Sequence, residues 1–241
     1  MEVTQDRFLN GQVTARQPKH GYRAAIDPVL LAAAVTAKAG QAVLELGCGV
    51  GVSLLCLCAR TGPHSAVGLE LQPELAELAR VNAHENSQPI TIFDGDISDP
   101  PPPLRQMQFH HILANPPYRQ GASHVAPRGR GKSTAVIEEV PLSAWTDLAA
   151  RRLKPKGTLT MILPPARIAD FLKTLPPYLG GIAVKPIYPR ADAEAGRLII
   201  RAVKDSRARL RLAKGMILHT ADGAFSPETE KLLRDGAGLE F

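Results

Sequence analysis

The sequence predicts an α/β domain built on a doubly wound, mostly parallel seven-stranded sheet with an antiparallel edge strand. Three observations predict it. Short apolar runs alternate with helical patterns between Val43 and Val203. The first run, Val43 to Leu46, ends in Gly47-Cys48-Gly49-Val50-Gly51 and opens into the apolar stretch Val52 to Cys58, a strand, glycine turn and helix in succession. The last two runs, Ile182–Ile187 and Leu198–Val203, lie too close together for a crossover helix, so they pair antiparallel.

At 241 residues and 44% hydrophobic content the chain can bury one sizeable α/β core. A single domain over 1–241 is expected, with an N-terminal extension at 1–40, a core at 41–204 and a C-terminal meander at 205–241. No apolar run is long enough to cross a membrane, and the mixed, polar opening MEVTQDRFLNGQ is not a secretory signal. The three cysteines, Cys48, Cys56 and Cys58, sit in the first βα unit. Cys56 and Cys58, two apart on a helix, face different ways and make a poor metal pair, so reduced thiols in a cytoplasmic protein are expected. The histidines have no ligand spacing either, so no metal is expected. The formal charge of +6 is moderate, and where the basic residues cluster says more than the total.

The elements follow in order. Phe8 to Gln17 reads as a hairpin turning at Asn10-Gly11. Asp27 is placed to cap a buried helix with Pro28 at its first position, continuing through Val29, Leu30, Leu31 and the alanines. Ala66 to Glu70 is the second strand, ending in an acid, and Pro73 starts an amphipathic helix through Leu75, Leu78, Ala79 and Asn82. Ile90 to Phe93 is the third strand, followed by Asp94-Gly95-Asp96, and the prolines at 100–103 read as a surface connector. Phe109 to Ala114 is the fourth strand, ending at Asn115-Pro116-Pro117-Tyr118. Residues 119–137 hold no acid but carry Arg119, Arg128, Arg130 and Lys132, and read as a basic loop. A helix through Leu142, Trp145, Leu148 and Leu153 leads by Pro155-Lys156-Gly157 to a fifth strand, Thr158 to Leu163, and a helix over 166–175 precedes the last two strands.

In an open α/β sheet, ligands bind outside the carboxyl ends of the strands. The glycine turn, Glu70, Asp96 and Asn115 all fall at such ends. An acid ending the second strand can accept from both hydroxyls of a ribose. Asp96 can accept from an adenine amino group while Ile97 packs on the ring. In NPPY the prolines fix φ and remove N–H groups, which leaves carbonyls and the Asn115 amide oxygen as acceptors for a planar amino group. Tyr118 offers a face for stacking a flat base. Arg207, Arg209 and Arg211 alternate with Ala208, Leu210 and Leu212, which puts three arginines on one face of a strand. Gly131-Lys132-Ser133 looks like the end of a phosphate loop, but the earlier glycine falls on Ala126 and no apolar strand precedes it.

The spacing from Glu45 to Gly51 with Glu70, Gly95-Asp96 and NPPY resembles class I amino-directed methyltransferases that use S-adenosylmethionine. With QPKHGYRAAIDPVLLAAAV, GLELQPELAELARVNA and the late PR…LIIRAVK…LRL…ILH, the chain is similar over nearly its whole length to the tRNA-Val adenine-N6 methyltransferase family. The resemblance implies a Rossmann-like fold with S-adenosylmethionine held by Glu45, Gly47, Cys48, Gly49, Gly51, Glu70, Leu71, Asp96, Ile97 and Asn115. It implies catalysis at Asn115, Pro116, Pro117 and Tyr118. Gln17, Tyr22, Arg23 and Asp27 would close over the cofactor or present the substrate. Arg119, Arg128, Arg130, Lys132, Arg207, Arg209 and Arg211 would contact tRNA.

Three other readings stay open at this point: glutamine-N5 methylation of a release factor, guanine-N2 methylation of ribosomal RNA, and a non-catalytic RNA-binding module. About 40 residues ahead of the core are few for the helical substrate domain of the first, and a mere binder needs no amine-polarising NPPY. Monomer and homodimer are equally compatible with the sequence.

Overall fold

The computed structural model describes residues 1–21, 23–62, 65–117 and 140–241. The central sheet holds β3 (Ala42–Leu46), β4 (Ser65–Glu70), β5 (Ile90–Asp94), β6 (Phe109–Ala114), β7 (Leu153–Leu163), β8 (Leu179–Tyr188) and β9 (Arg197–Lys204). Their order is β5-β4-β3-β6-β7-β9-β8. Chain direction reverses its progress across the sheet between β3 and β6, so the crevice opens beside these two strands. Only β9 among the seven runs against its neighbours, pairing antiparallel with both β7 and β8. The antiparallel strand therefore lies one place in from the edge. Two short strands, β10 (Arg211–Leu212) and β11 (Met216–Ile217), extend β8 in parallel.

Helices cover both faces. α1 (Asp27–Ala34), α2 (Val52–Thr61), α3 (Pro73–Glu85) and α7 (Pro227–Asp235) pack on one side, and α4 (Pro102–Gln106), α5 (Leu142–Arg152) and α6 (Ile168–Thr174) on the other. Burial on both faces explains why the central strands read as continuous apolar runs rather than alternating ones. Among the described residues no helix is long and apolar enough to cross a membrane.

The N-terminal hairpin is longer than 8–17. β1 (Val3–Phe8) pairs antiparallel with β2 (Val13–Pro18), closing with Phe8 opposite Val13. Its turn takes four residues because Leu9, Asn10 and Gly11 all adopt positive φ, at 50°, 53° and 85°. Four other expectations change. α1 starts with Asp27 inside its first turn and Ile26 as cap, and the Asp27 carboxylate pairs instead with Arg197 of β9. The proline run is partly helical: Pro102 and Pro103 open α4, where missing N–H groups cost nothing and φ is preset. Pro155-Lys156-Gly157 is an irregularity inside β7, with Lys156 at φ 64°, between the Phe109–Leu153 and His111–Thr158 pairs. The stretch after 205 is more than a meander, because Ser226 accepts the N–H of Thr229 and caps α7, which ends at Gly236 with φ 68°.

Candidate active site

Leu46 pairs with both Leu69 and Ala114, and Leu69 pairs with Phe93. These four residues form one row across the sheet. The next residue of each strand, Gly47, Glu70, Asp94 and Asn115, therefore forms a rim at the carboxyl ends.

The glycine turn is built for close packing more than for offering donors. Gly47, Gly49 and Gly51 have φ of 62°, 54° and 85°, a left-handed backbone that other residues adopt at a cost. A Cβ on Gly47 would stand 2.7 Å from Cη2 of Trp145 on α5, so the indole lies directly against the turn. A Cβ on Gly49 would meet nothing within 4 Å among the described residues. The sequence suggests bare N–H groups here, but most are engaged within the chain. Cys48 donates to the Leu69 carbonyl at 3.1 Å, Gly51 to the Cys48 carbonyl at 2.9 Å, and Gly49 to Glu70 Oε2 at 2.8 Å. The turn thus supplies shape and free space, which suits a ligand without phosphates.

Glu70 is buried, and its other oxygen accepts the N–H of Gln72 at 3.0 Å. Leu71 beside it is 46% exposed, a large apolar side chain facing outward next to the rim acid. Asp96 fastens its own loop by accepting the N–H of Ser98 at 2.7 Å, and Ile97 is buried. The Cys48 thiol is buried, and Gly68 of β4 leaves room for it: a Cβ there would come within 2.6 Å of its sulfur. Burial pushes that thiol well above its usual range, which fits a packing role.

Glu45 is the unusual group. It is 2% exposed, and its Oε2 has no hydrogen-bond partner among the described residues. Burial is the main cause that pushes its carboxyl up to about 8. The neighbouring Glu70 charge adds to the rise, and hydrogen bonds from Ser53 and the Leu54 N–H at the start of α2 oppose it. Glu45 lines a cleft that opens to solvent, together with Gly47, Cys48, Val50, Leu75 and Asn115. Asn115 is half-buried, Pro116 buried and Pro117 exposed.

The N-terminal extension contributes Gln17, Ala24 and Pro28 to the lining of the same cleft. Gln17, 1% exposed, makes a closed amide pair with Ala24: Oε1 accepts the Ala24 N–H at 2.7 Å and Nε2 donates to its carbonyl at 3.1 Å. Gln17 Nε2 also donates to Asp6 Oδ2 at 2.8 Å, and Arg23 converges on that same oxygen at 2.5 Å while reaching Thr4 Oγ1 at 2.6 Å. Arg23 and Asp27 are thus both engaged in ion pairs that brace the extension. Arg207, Arg209 and Arg211 are exposed, but only Arg211 belongs to a strand, so the three do not share a strand face. Leu210 and Leu212 between them are exposed as well, at 48% and 72%. Tyr22, Tyr118, Arg119, Arg128, Arg130 and Lys132 lie outside the described residues. Among the described residues no group of three His, Cys, Asp or Glu side chains could hold a metal.

Trp145 against Gly47 and the amide of Asn82 under the turn are contacts that the sequence alone does not assign. A lone tryptophan and an asparagine on the apolar side of a helix are the only local signals of them.

The family model for the methyltransferase small domain matches residues 26–167. A tRNA1(Val) (adenine(37)-N6)-methyltransferase of Porphyromonas gingivalis strain W83 is 29% identical over 238 residues, covering 94% of this chain and 93% of its own. The protein of that name from a second Porphyromonas gingivalis strain is 30% identical over 199 residues, covering 80% of this chain and 78% of its own. Among solved structures, a predicted O-methyltransferase from Agrobacterium tumefaciens superposes with a TM-score of 0.73 at 26% identity, covering 88% of this chain and 98% of that one.

Proposed function

The chain belongs to the methyltransferase small domain family, and from that premise we propose that it methylates N6 of an adenine in tRNA, using S-adenosylmethionine. The observation that carries this reading is the rim itself, where Asn115-Pro116-Pro117 ends β6 across from the glycine turn that ends β3. The relatives named as tRNA1(Val) adenine methyltransferases support the choice of substrate. We take residues 1–241 as one domain acting in the cytoplasm.

The residues present fit the cofactor. Among the described residues, Glu45 keeps an unpartnered buried oxygen on the cleft, Gly49 leaves open space, and Glu70 holds two acceptor oxygens at the end of β4. Glu45, Gly47, Gly49, Glu70, Leu71, Asp96 and Ile97 would hold it. When bound, it supplies an electrophilic sulfonium methyl. The Asn115 side-chain oxygen and the Pro116 carbonyl accept the two hydrogens of the target amine. Holding both hydrogens out of the ring plane localises the nitrogen lone pair, which conjugation otherwise spreads into the base. A hydroxyl substrate has one hydrogen and needs a base to take it, a role that the Asn115 amide does not fill. Tyr118, by sequence, stacks on the base, and the arginines at 207, 209 and 211 contact phosphate.

The test is transfer of labelled methyl from S-adenosylmethionine to unmodified tRNA, followed by nucleoside mass spectrometry. N6-methyladenosine is expected. A methylated guanine, or methylation of a release factor glutamine in preference to tRNA, would replace this reading with one of its rivals.

A further inference from the structure

Asn82 lies in the last turn of α3 and is fully buried. Its amide serves two separate parts of the chain. Oδ1 accepts the N–H of Arg16 at 2.7 Å, while Nδ2 donates to the Arg16 carbonyl at 3.1 Å and to the Val50 carbonyl at 2.9 Å. One helical turn later, Asn86 repeats the contact with the hairpin, its Nδ2 donating also to the Asn82 carbonyl at 2.7 Å. Its Oδ1 accepts the N–H of Thr14 at 3.0 Å, and its Nδ2 donates to the Thr14 carbonyl at 2.7 Å. Thr14 and Arg16 are alternate residues of β2, which pairs with β1. The two asparagines therefore stand where a further strand would stand, satisfying the backbone of the second edge of the hairpin. Only Asn82 also reaches the glycine turn.

The residue after Arg16 is Gln17, which lines the cleft together with Val50 and Gly47. We propose that Asn82 is a positioning residue for the cofactor. Through one buried amide it fixes the Val50 carbonyl of the turn against the Arg16 backbone of the hairpin, and so sets the spacing of the turn and the hairpin where they line the cleft. This rests on the S-adenosylmethionine reading of the cleft. The amide is suited to the task because both Nδ2 hydrogens are used and they point to different segments. Removing it leaves the Val50 carbonyl and both Arg16 backbone groups without these partners, and the turn and the hairpin lose their shared reference.

Asn86 provides the internal comparison, since it anchors the same hairpin without touching the turn. The experiment uses the full chain with Asn82→Ala and Asn86→Ala, and measures melting temperature, S-adenosylmethionine binding by calorimetry, and steady-state kinetics on tRNA. Both variants should melt earlier. Asn82→Ala alone should raise Kd and KM for S-adenosylmethionine by about tenfold or more, with kcat at saturating cofactor within about threefold of wild type. Asn82→Asp keeps the size but turns donors into acceptors that face two carbonyls, and should weaken cofactor binding as the alanine does. Cofactor affinity equal in the Asn82→Ala and Asn86→Ala proteins, or wild-type affinity in Asn82→Asp, overturns the inference.

Should neither Asn82 variant fold, wild-type hydrogen exchange decides. Coupling through Asn82 is reciprocal, so S-adenosylmethionine should slow exchange of the Arg16 N–H by about fivefold or more, and that of Thr14 less. Unchanged exchange at Arg16 overturns the inference. A wild-type chain that binds no S-adenosylmethionine removes the cofactor reading beneath it, whereas normal wild-type binding with unaltered variants removes this inference alone.

Discussion

The backbone N–H of Gly49 donates to Glu70 Oε2 at 2.8 Å, which fastens the turn after β3 to the acid that ends β4. Glu70 thereby does two things at once, holding the turn and presenting a carboxylate at the rim. Glu70→Ala should weaken S-adenosylmethionine binding by roughly tenfold or more, since hydrogen bonds to a charged group contribute about 1.5–3 kcal/mol each. Folding should be kept at a lower melting temperature, because Gly49 and Gln72 lose an acceptor. Glu70→Gln retains one acceptor oxygen and should fall between the two. Calorimetric titration with S-adenosylmethionine or its demethylated product measures this, and an unchanged isotherm for Glu70→Ala would remove the residue from the site.

Gly47 and Gly49 share a left-handed backbone but differ in what surrounds them. Gly49→Ala meets open space, so its stability cost should be that of the backbone alone, about 1–2 kcal/mol. Gly47→Ala adds a clash with the Trp145 ring, and overpacking of this kind costs about 1–3 kcal/mol more. Chemical denaturation should rank the two in that order. Combining Gly47→Ala with Trp145→Leu should recover part of the loss. Equal costs for the two single variants would mean that the indole yields freely.

The rim is legible in the sequence because each strand ends in a residue type that marks itself locally: a glycine turn, Glu70, Asp94 at the head of Asp94-Gly95-Asp96, and Asn115. Its supports are not, because their partners are remote in the chain. Asp27 sits where a cap is expected, yet its carboxylate goes to Arg197, separated from it by 170 positions. Asn82 looks like one more helical residue until Arg16, 66 positions earlier, is placed against it. The alternation at Arg207, Arg209 and Arg211 suggests a pleat, but alternation puts residues on one face only where the backbone is strand-paired, and here pairing begins at Arg211. The helix at 227–235 is a different case. Ser226, Pro227 and Gly236 are local signals of its start and stop, so the sequence carries it in readable form.

The carboxyl of Glu45, pushed up to about 8 mainly by burial, makes the stability of the unliganded protein pH-dependent. Its folded-state value lies above that of the unfolded chain, near the ordinary 4.5. Between these values the folded form keeps a proton that the unfolded form has lost. The group's contribution is therefore fully present below about pH 4.5 and is lost as pH rises through about 8, at a slope of order 1 kcal/mol per pH unit at most. Glu45→Gln, which cannot ionise, should remove this slope. Its melting temperature relative to wild type should rise from about pH 4.5 to about pH 8, where the two states differ in bound protons, and level off above that. A difference independent of pH would show that Glu45 is already ionised in the folded protein.

The exposed arginines at 207, 209 and 211 should act on RNA through phosphate, and so without sequence preference. Replacing all three with alanine should weaken tRNA binding and flatten its dependence on log salt by about 0.7–0.9 for each phosphate left without its arginine. Methyl transfer at saturating tRNA should stay near wild type. An unchanged salt slope would assign them to a solvated surface.

Chemistry and binding separate at the end of β6. The exocyclic nitrogen of adenine is a weak nucleophile, and its two hydrogens must be held while the nitrogen moves from planar toward tetrahedral geometry. On the proposed reading, acceptors at Asn115 and the Pro116 carbonyl would gain strength along that path, because the amine hydrogens become more positive as the new bond forms. An interaction that grows toward the transition state shows itself in kcat rather than in ground-state affinity. Asn115→Ala should therefore lower single-turnover methyl transfer by about 10²-fold or more, the scale set by removing one transition-state hydrogen bond. S-adenosylmethionine should still bind. Tyr118, read from sequence as a stacking face, should tolerate Tyr118→Phe and lose most activity as Tyr118→Ala, since base stacking contributes about 1–3 kcal/mol. The assay is transfer from tritiated S-adenosylmethionine to unmodified tRNA with enzyme in excess. A fully active Asn115→Ala protein would place the amine elsewhere. A Tyr118→Phe protein as inactive as Tyr118→Ala would assign the chemistry to the phenol hydroxyl instead of the ring.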